Sequence, residues 1–156
     1  MLVVNAFIIY QSCLPAGSSK GWSDAVVEVI KTITNGSIDS STPITPNLSW
    51  GSFIRKAIGH FGLFGLDGVV TFLYFYFLSL NKKFENRNLY IYFAAVLGII
   101  VAVVTELLQL VIPGRYGDII DILIDIGGYV LGVAITFLIV YLINRHQHKK
   151  ELIKEN

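Results

Sequence analysis

The sequence has few charged residues and a single cysteine, and each shortage excludes a class of protein. Charged side chains make up 15% of the 156 residues and hydrophobic side chains 54%, with a mean hydropathy of +0.64. These values lie outside the usual range of soluble domains and favour a membrane protein. The single cysteine, Cys13, excludes an intrachain disulfide. The net charge of +1 gives no indication of a nucleic-acid partner, and we expect none.

Two further kinds of sequence signal are missing. There is no His-Glu-x-x-His zinc motif and no Ser-His signature of a protease. No basic residue precedes the first apolar run and no obvious small-residue cleavage site follows it, which argues against a secretory signal peptide.

Long apolar segments dominate the rest of the chain. Crossing the hydrocarbon layer of ~30 Å takes roughly 20 helical residues. Three segments reach that length, at residues 53–80, 89–112 and 119–143. A shorter apolar run at residues 2–14 predicts a short first transmembrane helix, with an interfacial segment as the alternative. The sequence therefore predicts, over residues 1–156, a single all-α membrane bundle of about four transmembrane helices.

The segment at residues 15–52 is richer in Gly, Ser, Thr and Pro than the apolar runs around it. Its residues 22–34 alternate apolar and charged side chains at helical spacing, which predicts an amphipathic helix. Such a helix either lies on the membrane surface or packs against the bundle. Residues 37–47 include two prolines and predict a linker without a regular helix.

The basic residues predict the orientation of the bundle. The loop at residues 81–88 and the tail at residues 144–156 together carry most of the 12 Lys and Arg residues. Connections rich in these residues usually stay in the cytoplasm. We therefore expect the loop and the tail in the cytoplasm, and the segment 15–52 with the turn 113–117 on the outer side.

Charged and polar residues recur within the apolar helices, where each is costly. A charge at the centre of a membrane helix costs roughly 2.5–3.5 kcal/mol on insertion scales, so one that persists has a partner or a task. Lys56, His60 and Asp67 are spaced to share one face of their helix. His60, Glu106 and Asp125 lie at a similar depth, roughly 10 Å inside the outer helix ends. This pattern predicts one outward-facing polar cavity.

The candidate binding residues come from three helices and one turn. They are Arg55, Lys56, His60, Glu106, Gln109, Arg115, Asp118, Asp121 and Asp125. The planar fork of Arg115 suits a carboxylate or a phosphate. His60 and Glu106 are the candidates for an acid and a base. The candidate ligands for a divalent cation are Asp118, Asp121 and Asp125.

These residues, in this order and spacing, resemble the VanZ-like family of membrane proteins. The matching segments are Gln11-Ser12-x-x-Pro15-x-x-Ser18-Ser19, Arg55-Lys56-x-x-x-His60-Phe61, Glu106-x-x-Gln109, Pro113-Gly114-Arg115-x-x-Asp118-x-x-Asp121 and Gly128-x-x-x-Gly132. The sequence departs from the family pattern at Leu63 and Leu108, where many members have Glu and His. The resemblance implies a protein of the bacterial cytoplasmic membrane, associated with resistance to the glycopeptide teicoplanin.

Three hypotheses about function follow. The leading one is a non-enzymatic membrane protein whose cavity binds an anionic amphiphile, such as a lipid phosphate or a lipid-linked precursor of the cell wall. The alternative is an intramembrane hydrolase or transferase with His60 and Glu106 as acid and base, although Leu63 and Leu108 remove two side chains that could assist it. In the third, the polar residues serve only helix pairing. The sequence identifies neither a cofactor nor an oligomeric state.

Overall fold

The computed structural model describes residues 1–36, 38–46, 48–80 and 87–154. In chain order the elements are α1 (Leu2–Cys13), α2 (Ala16–Ile33), β1 (Pro43–Thr45), β2 (Leu48–Ser49), α3 (Trp50–Ile54), a π-helical segment (Arg55–Gly62), α4 (Leu63–Leu80), α5 (Arg87–Val111) and α6 (Ile119–Lys154). Most of the loop predicted to be cytoplasmic, including Lys82 and Lys83, lies outside the described residues.

Within these ranges, three helices are long and apolar enough to cross a membrane. They are Trp50–Leu80, Tyr92–Val111 and Ile119–Gln147. The first comprises α3, the π-helical segment and α4 as one continuous rod of 31 residues. α1 is a shorter apolar helix of 12 residues that packs mainly against α5. The predicted all-α membrane bundle with a short first helix is therefore confirmed.

α4 and α6 form the most extensive helix pair in the bundle. The backbone of α6 touches the continuous rod at two glycines, since a Cβ atom on Gly128 would overlap the carbonyl oxygen of Phe61 in the π-helical segment and one on Gly132 would overlap that of Gly65 in α4. Small residues permit such an approach, and in lipid close packing is a main source of helix association. Gly128 and Gly132 therefore allow α6 to pack closely against the preceding rod.

An apolar core lies where four helices meet. It consists of Ile8 of α1, Phe64 of α4, Val101 and Ala102 of α5, and Tyr129 of α6. The hydroxyl of Tyr129 donates a hydrogen bond to the carbonyl of Ala94, so this buried polar group is satisfied. The core fixes the four helices relative to one another just beside the polar cluster described below.

The segment between α1 and α3 is more regular than the sequence predicts. α2 begins at Ala16, directly after Pro15, and so starts before the predicted amphipathic stretch. It ends where Asn35 and Gly36 have φ values of 54° and 83°, a left-handed stop that these residue types favour. β1, within the predicted linker, pairs antiparallel with β2 just after it. A 3.0 Å ion pair from Lys31 to Asp39 ties the chain before β1 to α2.

The last helix also exceeds its predicted length. The sequence predicts a helix at residues 119–143 followed by a tail, whereas α6 continues to Lys154. No glycine or proline occurs between residues 144 and 154, and good helix formers such as Lys, Gln and Glu are common there. The hydropathy pattern marks where the apolar stretch ends, which is not where the helix ends.

Candidate functional site

The π-helical segment carries three of the candidate residues, Arg55, Lys56 and His60. In a π-helix each amide bonds five residues back, so the turn is wider than in an α-helix, and such segments occur often at functional sites. The wider turn changes which residues share a face. Lys56 and His60 face α6, whereas Asp67, one regular α-helical stretch later, faces α1. The predicted common face of these three residues is therefore wrong.

Lys56 is neutralised by two carboxylates at the start of α6. Its Nζ atom lies 3.3 Å from Oδ2 of Asp118 and is also paired with Oδ1 of Asp121. Asp118 caps the helix, because its Oδ1 accepts the amide of Ile120 at 2.9 Å. That hydrogen bond, followed by the pairing with Lys56, lowers the pKa of Asp118. The ammonium group thus occupies the position between two carboxylates that a metal cation would need.

His60 lies between two acidic side chains of α6, Asp121 and Asp125. Its Nδ1 atom is 3.0 Å from Oδ1 of Asp125, and its Nε2 atom is 3.8 Å from Oδ2 of Asp121. The side chain of Asp125 is only 1% exposed, so the short contact with His60 is shielded from water. One proton shared between His60 and Asp125 satisfies both groups, and a carboxylate of this kind orients an imidazole.

Glu106 braces the turn between α5 and α6. Its Oε1 atom accepts the backbone amide of Asp118, and its Oε2 atom accepts Nε2 of Gln109 at 3.3 Å. The residue is 3% exposed. Within the described residues it makes no hydrogen bond to His60. One carboxylate oxygen therefore holds the chain that leads into α6, and the other is hydrogen-bonded to a neighbour on α5.

Two arginines approach each other on the opposite side of the cluster. Arg115, in the turn, donates a 3.3 Å hydrogen bond to the carbonyl of Ser12 at the end of α1. Burial, and next the positive charge of Arg55, lower the pKa of Arg115. In the part of the chain that the structure describes, neither guanidinium forms an ion pair with a carboxylate. Two neighbouring cations without acidic partners favour binding of an anion.

Two adjoining cavities connect these groups. The larger, of about 290 Å³, lies under Arg115 and is bordered by Lys56, Asp118 and Asp121. The smaller, of about 60 Å³, reaches inward to Asp125. Four residues line both cavities: Arg55, His60, Gln109 and Arg115. Every predicted binding residue except Glu106 lines at least one of the two.

A third, open cavity of about 540 Å³ begins at Arg55. It lies between α2 and the β hairpin and shares Arg55 with the two inner cavities. Its lining is made of hydroxyl and charged groups, among them Asp24, Glu28, Ser40 and Ser52. The sequence predicts no role for these residues, because they come next to Arg55 only when residues 16–52 fold over the bundle.

The three candidate metal ligands do not converge. Asp118 and Asp125 are seven residues apart, which is roughly 10 Å along a helix, and their oxygens contact different side chains, Lys56 and His60. Across the described ranges, no group of three or more His, Cys, Asp or Glu side chains is arranged to hold a metal ion.

A comparison with protein families gives one result. The family model described as VanZ/LLP1 matches residues 1–141, which covers all of the cluster and most of the chain. No match was found among curated proteins or among solved structures.

Proposed function

The chain belongs to the VanZ/LLP1 family, and we propose that this multi-pass membrane protein binds the anionic headgroup of an amphiphile in the cavity beneath Arg115. The observation that carries the proposal is the pair Arg55 and Arg115, two guanidinium groups that border the same cavities without carboxylate partners among the described residues. An anion between them would relieve their mutual repulsion.

The other cations of the cluster already have carboxylate partners. Lys56 is paired with Asp118 and Asp121, and His60 can share a proton with Asp125. The cationic groups left without an ion-pair partner among the described residues of the cluster are therefore the two arginines. Guanidinium groups bind phosphate through paired hydrogen bonds, whereas a lysine acts only as a point charge. A phosphate headgroup therefore suits the two arginines.

The surroundings suit a lipid whose headgroup extends out of the membrane. The cavity of about 290 Å³ has room for a phosphate. The neighbouring groove with its serines and carboxylates offers many hydrogen-bonding groups to a hydroxyl-rich extension such as a sugar. A lipid-linked precursor of the cell wall combines these features, and the proposed place of action is the outer face of the bacterial cytoplasmic membrane. Teicoplanin resistance is the context that the family resemblance suggests.

One observation favours an enzymatic alternative. His60 lies against the buried carboxylate of Asp125 at 3.0 Å and lines both inner cavities, which is the arrangement of an oriented general base. A hydrolase or transferase acting on the same lipid would use this pair. Glu106, the acid that sequence analysis placed beside His60, is occupied by the turn instead.

The test is native mass spectrometry of lipids that co-purify with the protein and with three alanine variants. We expect Arg55→Ala and Arg115→Ala each to weaken retention of a phosphate-bearing lipid about 10- to 100-fold, because a hydrogen bond to a charged group contributes about 1.5–3 kcal/mol. Arg145→Ala removes the same charge from an exposed position on α6 beyond the cluster and is the matched control. Equal lipid retention by all four proteins would refute the proposal.

A further inference from the structure

A second polar cluster lies outside the arginine cavity, between α1 and α4. Asp67 of α4 is 0% exposed and Asn5 of α1 is 9% exposed. The Nδ2 atom of Asn5 donates to Oδ1 of Asp67 at 3.0 Å, and the hydroxyl of Thr71 donates to the same oxygen at 3.3 Å. None of these three residues lines the cavities described above.

Two oxygens in this cluster are buried without a hydrogen-bond donor, Oδ2 of Asp67 and Oδ1 of Asn5. They belong to two planar groups that are already joined through their other atoms. The orientation of the Asn5 amide is fixed independently, because its Nδ2 also donates to the carbonyl of Met1 at 3.3 Å. Exchanging the nitrogen and oxygen of the amide would place an acceptor against that carbonyl and against Asp67.

In the part of the chain that the structure describes, Asp67 forms no ion pair that would neutralise a carboxylate. Within the described ranges, no Lys, Arg, His or amino terminus lies within ion-pair distance of Asp67. The titratable groups that act on it are the more distant amino group of Met1 and, from α6, the phenol of Tyr129, whose proton is donated to a carbonyl. A fully buried carboxylate without a cation is so unfavourable that it takes up a proton instead.

We propose that Asp67 is a proton-binding site, which carries its proton on Oδ2 and donates it to Oδ1 of Asn5. The second hydrogen bond closes a cyclic pair between a carboxylic acid and an amide, and a single proton satisfies both orphaned oxygens. The proton thereby fastens α1 to α4. Since Ile8, Gln11 and Ser12 of α1 line the inner cavity, the protonated pair also holds one wall of that cavity in place.

The decisive variant is Asp67→Asn, which imitates the neutral acid. Its amide can donate to Asn5 and accept from it, so the two-bond pair persists without a titratable proton. We expect the variant to fold and to unfold at the wild-type temperature at neutral pH. A bound proton contributes stability that is fully present at low pH and lost as the pH rises through the value at which the folded protein releases it. The wild type should therefore lose stability relative to Asp67→Asn as the pH is raised.

Infrared spectroscopy detects the proton directly. At neutral pH the wild type should show the carbonyl stretch of a hydrogen-bonded carboxylic acid, which shifts after exchange into heavy water and is missing from Asp67→Asn. Glu28→Gln, at an exposed carboxylate, is the control and should remove only carboxylate bands. If Asp67→Asn also removes only carboxylate bands, Asp67 is ionised and the proposal is wrong. A wild-type stability that depends on sodium rather than potassium, and loses that dependence in Asp67→Asn, would assign the site to a metal cation instead.

Discussion

Replacement of Glu106 tests whether this buried acid beside the cavities has a structural or a functional role. In Glu106→Gln one oxygen can still accept the amide of Asp118, and Gln109 can rotate its amide to present an oxygen to the new NH₂ group. Only the charge-assisted part of the two bonds is lost, about 1 kcal/mol. For a chain of this size that corresponds to a decrease of roughly 2–4 °C in the unfolding temperature.

Glu106→Ala removes both acceptors. The amide of Asp118, in a partly buried turn, and the buried side-chain nitrogen of Gln109 then lose their partners. Leaving a buried donor unsatisfied costs about 1–3 kcal/mol, and the partly buried amide belongs at the low end of that range. The two together should cost about 2–4 kcal/mol, or roughly 4–16 °C. The exposed Glu28→Gln is the control and should leave the unfolding temperature unchanged.

Thermal unfolding in detergent and lipid retention should be measured on the same preparations. We expect Glu106→Gln to retain the lipid. Glu106→Ala should unfold at a lower temperature than the wild type, yet still retain the lipid when retention is measured at low temperature. The opposite result, a Glu106→Gln protein with wild-type stability and no lipid, would show that Glu106 acts on the ligand or in catalysis and that the brace is secondary.

Two further predictions concern topology and packing. In a Cys13→Ser background, an impermeant thiol reagent applied to intact cells should label a cysteine placed at Ser40 and not one placed at Lys83, and the reverse pattern would invert the orientation. Gly128→Ala should destabilise the protein by about 1–3 kcal/mol in thermal unfolding, since its Cβ atom would overlap a backbone carbonyl. Gly127→Ala is the control and should have no such effect, because the nearest neighbour of its Cβ atom is at 3.9 Å. Equal effects of the two substitutions would argue against close packing at Gly128.

The membrane-spanning helices follow directly from the sequence because hydropathy is a local property. About 20 apolar residues in a row have few alternatives to crossing a bilayer, and glycines four residues apart mark a close helix contact. The chemical types gathered at the site are also visible in the sequence, since charged residues within apolar helices are rare enough to stand out.

Partner choice among those residues depends on the tertiary structure. An ideal α-helix places Lys56, His60 and Asp67 on one face, and the wider turn of the π-helical segment sends the last of them to α1. Similarly, the sequence spacing predicts that Glu106 and His60 lie at a similar depth. In the structure, Glu106 instead accepts the backbone amide of Asp118, which the turn after α5 brings next to it. No periodicity in the sequence encodes either contact, because each depends on where a neighbouring helix lies.

The distribution of charge favours a binding site over simple helix pairing. If the polar residues only joined helices, each buried charge would be expected to have an opposite charge within reach, as Lys56 has in Asp118 and Asp121. Arg55 and Arg115 differ from Lys56, since both border the cavities and neither forms an ion pair with a carboxylate among the described residues. Two guanidinium groups held close together repel each other and lower stability, and helix pairing alone does not offset that loss. An anionic ligand bound between the two guanidinium groups would stabilise them, which is why the proposed function rests on these two arginines rather than on the more numerous carboxylates.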